Sequence, residues 1–388
     1  MAGEQAVRAL VWFWGTSGAG IRYAARVAEC IAQRLGSANV GLALHEQNAW
    51  IDRSRVAGHP VMSVRGAKGK NALLGLALQA PLRWLALEKQ VSAFRPDVVV
   101  IPMGFALAWP LSLVFRRRRI PIIYVAHDHE PHVGDYFVAY QEALQKVILR
   151  QAAHVVVLSE FVRRSIAAAE GLRTRTPCTL IPLSAHDVSL GKHARPARDP
   201  DVALLFLGRL LPYKGLPMLA EALEHFRELP GWRLTIAGYG AEAGSVQTRF
   251  RHFPQVDLGW VRELDESEVD TLLDRHDVLV CPYIEASQSG ALSEALYHGV
   301  PSLVTPVGAL PEQIGFGRAG WVAQSTSAHG LREAIRMVLA DPDTIRRATR
   351  EANAMVAPPR SDAWGDVVGA VVQRGQNVRP VPDVMALR

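Results

Sequence analysis

Two cationic residues of the carboxy-terminal half stand just past a run of apolar residues, in an order that suits a bound phosphate. Arg209 and Lys214 lie in the segment from Phe206 to Gly215. Arginine presents a planar fork of N–H donors to phosphate oxygens, and lysine adds a compact positive charge. These residue types predict a site for a diphosphate.

A second segment, 287–295, adds small residues and a carboxylate. It places Ser289 and Gly290 at the predicted start of a helix that carries Glu294. A helix start offers backbone N–H groups and a partial positive dipole to phosphate. A carboxylate would repel phosphate, so Glu294 is better suited to accept hydrogen bonds from the hydroxyls of an attached ribose.

These segments resemble family 4 of the glycosyltransferases, and the resemblance covers nearly the whole chain. In the carboxy-terminal half the matching residues are Gly208-Arg209, Lys214-Gly215, Ile236–Gly240, Leu258–Trp260, Cys281–Tyr283, Glu294-Ala295 and Gly299–Ser302. The resemblance implies a GT-B fold, in which two doubly wound, Rossmann-like α/β domains face each other across a cleft. It also implies transfer of a sugar from a nucleoside diphosphate.

The family's roles carry over to individual positions. The resemblance implies that the donor is bound by Gly18, Gly20, Gly208, Arg209, Lys214, Gly238, Ser289, Gly290 and Glu294, and that His127, Arg209, Lys214 and Glu285 act in catalysis. His127 with Asp128 matches a family histidine near the transferred sugar, with His129 as the alternative. The family has two glutamates separated by seven residues, but position 286 is alanine and Glu285 stands one residue early. Glu285 contacts either the donor sugar or solvent.

Apolar runs alternate with amphipathic stretches in both halves. Runs such as Ala9–Trp14 and Val202–Leu207 are typical of parallel strands buried on both faces. We expect one Rossmann-like domain over 1–190, a linker over 191–200 and a second Rossmann-like domain over 201–358. Residues 359–388 then form a tail with a helix, which in the family crosses back onto the first domain.

The composition indicates a globular chain without structural disulfides. The three cysteines, Cys30, Cys178 and Cys281, are far apart and odd in number, so a reducing cytosol is the simpler compartment. The apolar run Ala6–Trp14 is too short for a secretory signal. No stretch approaches the roughly 18 uncharged apolar residues that span a bilayer.

Neither a cofactor nor a metal ion is expected. Glycines of the loop 15–20 do not have the G-x-G-x-x-G spacing of a dinucleotide site. The segment 126–132 holds three histidines, but no carboxylate or cysteine at helical spacing completes a metal site. Two Asp-Pro-Asp triplets resemble a D-x-D metal motif. The one at 199–201 lies in the linker, and the one at 341–343 is typical of a helix N-cap followed by proline.

Basic clusters in the first half suggest an acidic partner, in keeping with a net charge of +6. Arg116–Arg119 follow an apolar stretch, and further cations accompany an amphipathic run that contains Trp84, namely Arg65, Lys68, Lys70 and Arg83. Either these are solvated helix ends or they dock to an anionic membrane surface, which the position in the acceptor-side domain favours. Nucleic acid is not expected, since no recognition motif accompanies the arginines.

The sequence therefore predicts a retaining, metal-independent glycosyltransferase that moves a hexosyl unit from a nucleoside diphosphate sugar to an acceptor hydroxyl, with retention implied by the family alone. The expected acceptor is a lipid-linked saccharide in cell-surface polysaccharide assembly, reached from the cytoplasmic face of the membrane. Two alternatives stay open. One is a nucleotide-sugar epimerase of the same fold, and the other is a catalytically dead membrane-bound adaptor, which the displaced Glu285 favours.

Overall fold

The computed structural model describes residues 6–15, 20–46, 51–64, 72–105, 107–127, 138–168, 176–183, 201–355 and 361–378. The predicted linker at 191–200 and the candidate donor residue Gly18 lie outside the described residues, as do Asp128, His129, Arg65, Lys68 and Lys70. The described residues form two α/β units.

The first unit is built on a parallel sheet. Its strands are β1 (Ala9–Phe13), β2 (Val40–His45), β3 (Val61–Val64), β4 (Val98–Ile101), β5 (Ile122–Ala126), β6 (His154–Val157) and β7 (Cys178–Leu180). Its helices are α1 (Gly20–Leu35), α2 (Ile51–Val56), α3 (Ala72–Phe94), α4 (Ala108–Arg117), α5 (Val138–Gln151) and α6 (Glu160–Ala168). The spatial order of the strands is β3-β2-β1-β4-β5-β6-β7.

The second unit repeats the scheme. Its strands are β8 (Val202–Leu207), β9 (Trp232–Ala237), β10 (Val256–Asp257), β11 (Val278–Cys281), β12 (Ser302–Val304) and β13 (Gly320–Val322), in the order β10-β9-β8-β11-β12-β13. Its helices are α7 (Leu216–Leu223), α8 (Ala243–Phe250), α9 (Glu266–Arg275), α10 (Gly290–Tyr297), α11 (Leu310–Gln313), α12 (Ala328–Ala340) and α13 (Pro342–Met355). The prediction of two doubly wound α/β domains is confirmed.

Both faces of each sheet are covered, which explains the continuous apolar runs. Along β1, Leu10 and Trp12 pack into the core on one face of the sheet. Val11 and Phe13 pack into the core on the other face. A strand with two buried faces needs an apolar residue at every position, whereas a half-exposed strand would alternate with polar residues.

A final helix, α14 (Ser361–Val378), packs against α1 of the first unit. Trp364 at its start is only 1% exposed and lies in the core beneath α1. Arg34 Nη1 of α1 donates to Asp366 Oδ1 at 2.5 Å. The chain thus returns to the first unit after completing the second.

The order of the strands creates one switch point in each sheet, between β1 and β4 and between β8 and β11. All strand pairs are parallel, so the carboxyl ends of the strands share one edge. Ligands of open parallel sheets bind at that edge, beside the switch point. The segments singled out in the sequence follow β8 and β11, the two strands that flank the second switch point.

Candidate active site

A tight turn after β8 positions Arg209 and Lys214. Pro212–Lys214 form one 3₁₀ turn, and Gly215 ends it in the left-handed conformation at φ 69°. A Cβ atom at Gly215 would lie 1.8 Å from the carbonyl oxygen of Pro282, so a side chain has no room there. The Ile284 N–H donates to the Tyr213 carbonyl at 2.8 Å, which ties this turn to the loop after β11.

The two cations differ in exposure. The side chain of Arg209 is exposed, and its Nη2 donates to the Tyr213 hydroxyl at 3.2 Å. Lys214 is only 8% exposed, and its ammonium lies 3.6 Å from the centre of the Tyr283 ring. Lys214 is close to the start of α10, because Tyr283 also contacts Ser289, hydroxyl to hydroxyl, at 3.1 Å.

Ser289 is the N-cap of α10, as predicted, and its hydroxyl accepts from the Leu292 N–H at 3.3 Å. The expectation that the Ser289 amide is available to phosphate is wrong. That N–H donates to Gln313 Oε1 at 2.9 Å, while Gln313 Nε2 donates to the Ser289 carbonyl at 3.1 Å. Gln313 therefore fixes the entry to α10, and Gly290 is the first residue of the helix itself.

Glu294 lies one turn into α10 and pairs with two arginines of α1. Arg22 Nη1 donates to Oε2 at 2.8 Å, and Arg26 donates from Nη1 to Oε1 at 2.9 Å and from Nη2 to Oε2 at 3.2 Å. Burial alone would raise the pKa of this carboxyl, but the charges and hydrogen bonds of Arg26 and Arg22 outweigh it and hold the pKa below its ordinary value. Glu294 is therefore ionised at neutral pH.

Further contacts join the carboxyl edges of the two units. Gln288 Nε2 donates to the His127 carbonyl at 3.1 Å. Glu312 Oε1 accepts from the Glu160 N–H at 2.7 Å, so a carboxylate of the second unit caps the start of α6. These bonds bring His127, after β5, close to the loop that precedes α10.

The His127 ring is held inside the first unit. Its Nε2 lies 2.9 Å from the Pro102 carbonyl oxygen, and its ring stands edge to face with Tyr23 at 4.7 Å between centroids. A carbonyl can only accept, so Nε2 carries the proton in that hydrogen bond. The backbone of His127, rather than this nitrogen, makes the contact with the second unit.

Glu285 and the candidate glycines occupy distinct surroundings. Glu285 is half-buried in the loop after β11, and the family's glutamate position, Ala286, is 5% exposed. A Cβ atom at Gly238, after β9, would lie 1.9 Å from the Gly208 carbonyl oxygen, so the missing side chain at Gly238 allows the loops after β8 and β9 to touch. Gly20 begins α1, where a Cβ atom would lie 2.7 Å from Met103 Sδ.

Several residues at this site were not predicted from the sequence. Arg22 and Arg26 are spaced by four on α1, so they share a helix face, and that spacing next to a glycine loop was an available signal. Gln288 and Gln313 carry no charge or motif that would single them out.

The basic surface of the first unit is only partly as expected. Arg116–Arg119 are all exposed at the end of α4, and Arg117 lies over the Trp84 ring at 4.9 Å. Leu82 and Leu85 on α3 are 69% and 64% exposed beside them. Arg83 is only 5% exposed, so the expectation that it faces a partner is wrong. The α3 periodicity turns this residue inward, between the exposed positions 82 and 85.

The described ranges contain neither a cluster of metal ligands nor a helix that spans a bilayer. No group of three His, Cys, Asp or Glu side chains within them is arranged to hold a metal ion. Among the helices in this part of the chain, none combines the length and apolar content needed to cross a bilayer.

Two family models match the chain along most of its length. The Glycosyl transferase 4-like domain matches residues 18–184, and the Glycosyl transferases group 1 model matches residues 192–355. The boundary between the matches falls in the segment between the two α/β units.

Individual proteins resemble the chain as well. Glycogen synthase of Mycobacterium tuberculosis is 33% identical over 267 residues, 67% of this chain and 64% of that protein, so the chain spans somewhat less than two thirds of its length. The putative colanic acid biosynthesis glycosyltransferase WcaL of Escherichia coli is 26% identical over 307 residues, 75% of this chain and 69% of that protein.

Among solved structures, HepE of Anabaena in complex with UDP and glucose superposes with a TM-score of 0.71 at 14% identity, covering 95% of this chain and 99% of that one. At this identity the likeness concerns the fold, which is GT-B. With both halves matched by the family models, the chain belongs to the group 1, family 4-like glycosyltransferases of the GT-B fold.

Proposed function

We propose that this chain is a retaining, metal-independent glycosyltransferase that moves a hexosyl unit from a nucleoside diphosphate sugar to an acceptor hydroxyl. One observation supports it above others, and it lies beside the switch point between β8 and β11. Tyr213 contacts both Arg209 and Lys214, and Lys214 also contacts Tyr283, which reaches the N-cap of α10. Two cations and a helix start at one sheet edge suit a diphosphate. The complex of HepE with UDP and glucose supports a nucleotide-sugar donor on the same fold.

The chemistry assigns these groups to the leaving diphosphate. As the bond from the anomeric carbon to the phosphate oxygen breaks, the sugar becomes oxocarbenium-like and negative charge builds on the diphosphate. Arg209, Lys214 and the positive end of α10 stabilise that charge from fixed positions, which is where electrostatic preorganisation is most effective. The two cations supply the positive charge that a divalent ion would otherwise supply, which is our reason for proposing a metal-independent reaction.

Retention of the anomeric configuration is taken from the family. No described side chain stands out as a nucleophile, so we assign none. Glu285 is half-buried in the loop after β11, and His127 follows β5 with its carbonyl hydrogen-bonded to Gln288 of the second unit. We propose that these two residues act at the donor sugar, a role taken from the family.

We propose that Glu294 binds the ribose of the donor. Its hydrogen bonds to Arg22 and Arg26 limit the lone pairs that remain for the ribose hydroxyls. A carboxylate offers about four lone-pair sites, two on each oxygen. Oε2 already accepts from Arg22 and Arg26, and Oε1 accepts from Arg26. A ribose that uses both oxygens must therefore displace at least one guanidinium, so we infer that donor binding exchanges an interdomain ion pair for ribose hydroxyls.

For the acceptor we propose a lipid-linked saccharide in cell-surface polysaccharide assembly, with the chain bound peripherally to the cytoplasmic face of the membrane. The similarity to the colanic acid glycosyltransferase supports the pathway type. The exposed Leu82 and Leu85 beside Arg116–Arg119 support the location, because apolar side chains with a basic border suit an anionic bilayer surface.

The donor is tested by thermal stabilisation with uridine, guanosine and adenosine diphosphate sugars, because a ligand that binds the native state raises its melting temperature. One donor should raise the Tm of the wild type and not that of Arg209→Ala. Release of the sugar from that donor, abolished by Lys214→Ala, then separates an enzyme from an adaptor. Absence of any shift and any sugar release would overturn the proposal.

Membrane docking is tested separately, by co-sedimentation with vesicles that contain anionic lipid. The variant Arg116→Ala/Arg119→Ala should lose binding at low salt. The control Arg249→Ala/Arg251→Ala removes the same charge from exposed positions of the second unit and should keep it. An equal loss of vesicle binding in both variants would mean that binding depends on the net charge of the protein alone. The proposed membrane-docking surface would then be wrong.

A further inference from the structure

Lys214 is a buried cation that lies against two aromatic rings. Its side chain is 8% exposed, and Nζ lies 3.6 Å from the centre of the Tyr283 ring and 4.9 Å from that of Tyr213. Burial removes most of the ammonium's hydration, and the negative faces of the rings replace part of it. Tyr213 is 6% exposed and Tyr283 is 0% exposed, so the rings cannot turn away from the cation without disturbing the core.

Each ring is also fixed at its hydroxyl. Tyr213 accepts a hydrogen bond from Arg209 Nη2 at 3.2 Å, and Tyr283 lies 3.1 Å, oxygen to oxygen, from the Ser289 hydroxyl. Burial raises the pKa of Tyr283 well above its ordinary value, so this phenol stays neutral. Tyr213 therefore touches both cations of the predicted clamp, and Tyr283 touches one cation and the N-cap of α10.

The backbone holds the same pair together. The Tyr213 carbonyl accepts a hydrogen bond at 2.8 Å from the N–H of Ile284, the residue that follows Tyr283 in the chain. Thr305 Oγ1, after β12, donates to the Tyr283 carbonyl at 2.5 Å. The loops that follow β8, β11 and β12 thus meet at the two tyrosines.

We propose that Tyr213 and Tyr283 are positioning residues, which hold Arg209 and Lys214 in the geometry that receives the diphosphate of the donor. The inference rests on the proposed function, because the clamp matters only if a diphosphate binds there. The ring of Tyr283 acts on Lys214, and the hydroxyl of Tyr213 acts on Arg209. Neither tyrosine needs to touch the sugar.

The test uses the full chain and inorganic pyrophosphate, which carries the two phosphates without base or ribose. Calorimetry should show binding to the wild type that Tyr283→Leu weakens about tenfold, in line with one cation–π contact. Tyr283→Phe keeps the ring and should stay within about threefold. Tyr213→Phe keeps its ring and loses the Arg209 bond, so a loss of about fivefold is expected.

A double variant separates positioning from a general loss of structure. In a Lys214→Met background, Tyr283→Leu should produce no further loss of pyrophosphate affinity, because the ring has no cation to hold. The same tenfold loss in that background would overturn the inference.

Tyr283 is in the core, so Tyr283→Leu could fail to fold. Phenylalanines with one, two or three ring fluorines at position 283 then provide a second test, since fluorine weakens the ring's attraction for a cation at nearly constant shape. Pyrophosphate affinity should fall stepwise along the series, and a flat series would refute the role of the ring. If the wild type binds neither pyrophosphate nor any nucleoside diphosphate sugar, the proposed function itself fails.

Discussion

Replacing Arg26 by alanine is expected to tighten the binding of the nucleoside diphosphate. Arg26 donates to both oxygens of Glu294, at 2.9 and 3.2 Å, and Arg22 donates to one of them. A ribose that takes both oxygens has to break at least one of these bonds. In Arg26→Ala, each oxygen of Glu294 has a lone pair open to a hydroxyl while Arg22 stays in place. The cost of the exchange is thereby removed before the ligand arrives.

The magnitude follows from the burial of the pair. The side chains of Arg26 and Glu294 are 13% and 14% exposed, so solvent screens their bonds only weakly. A hydrogen bond to a charged group contributes about 1.5–3 kcal/mol net. If the ligand displaces Arg26, and water recovers part of the loss, Arg26→Ala gains about 1.5–3 kcal/mol of binding free energy. This corresponds to a Kd that is about 10- to 150-fold lower.

Calorimetry with the nucleoside diphosphate of the preferred donor measures this directly, and inorganic pyrophosphate provides a ribose-free comparison. Arg26→Ala should bind the nucleotide more tightly and pyrophosphate unchanged. Arg34→Ala is the matched control, because Arg34 lies on the same helix, is 54% exposed and pairs with Asp366 of α14. Its affinity for both ligands should equal that of the wild type.

Two outcomes would refute this reasoning. Weaker nucleotide binding in Arg26→Ala would mean that Arg26 contacts the donor itself. Unchanged nucleotide binding would mean that Glu294 keeps its arginines when the donor binds, and that the ribose does not use both of its oxygens.

Three predictions concern stability. Gly215→Ala should lower the free energy of unfolding, measured in urea, by at least about 2 kcal/mol, because φ is 69° and the new Cβ would lie 1.8 Å from the Pro282 carbonyl oxygen. The control Gly369→Ala, at an open helical position, should not lower it. Equal effects of the two substitutions would contradict the steric reasoning. Trp364 is 1% exposed beneath α1, so Trp364→Ala leaves a cavity and should lower the free energy of unfolding by about 3–5 kcal/mol in the same measurement. A decrease below about 1 kcal/mol would mean that α14 contributes little to stability. Burial, and then the charge of Arg374, lower the pKa of His154 from the ordinary 6.5 to about 4. The unfolded chain therefore binds this proton more readily than the folded chain. The contribution of His154 to stability is complete above pH 6.5 and decreases toward pH 4 by an amount on the order of 2 kcal/mol. Urea titrations at pH 7 and pH 5 should show part of this loss in the wild type and less of it in His154→Gln, and identical pH dependence in the two proteins would rule out His154 as its source.

The sequence by itself determined the features that depend on neighbouring residues. The apolar run at 202–207 became β8 with the predicted bounds, because a strand covered on both faces is apolar at every position. Ser289 became the N-cap of α10, and Asp341 precedes a helix that begins with Pro342, because capping and proline preferences act within one turn. The placement of Arg209 and Lys214 at the carboxyl end of a strand follows from the same local pattern.

Only the tertiary structure decided which side chains meet. Glu294 pairs with Arg22 and Arg26, which lie 272 and 268 residues away in the chain and in the other unit. Lys214 lies against Tyr283 because β8 and β11 are neighbours in the sheet, a fact that no local pattern contains. Periodicity fixes the face on which a residue stands relative to its own helix or strand, whereas its partner depends on how the elements pack, and burial then sets how strongly their charges interact.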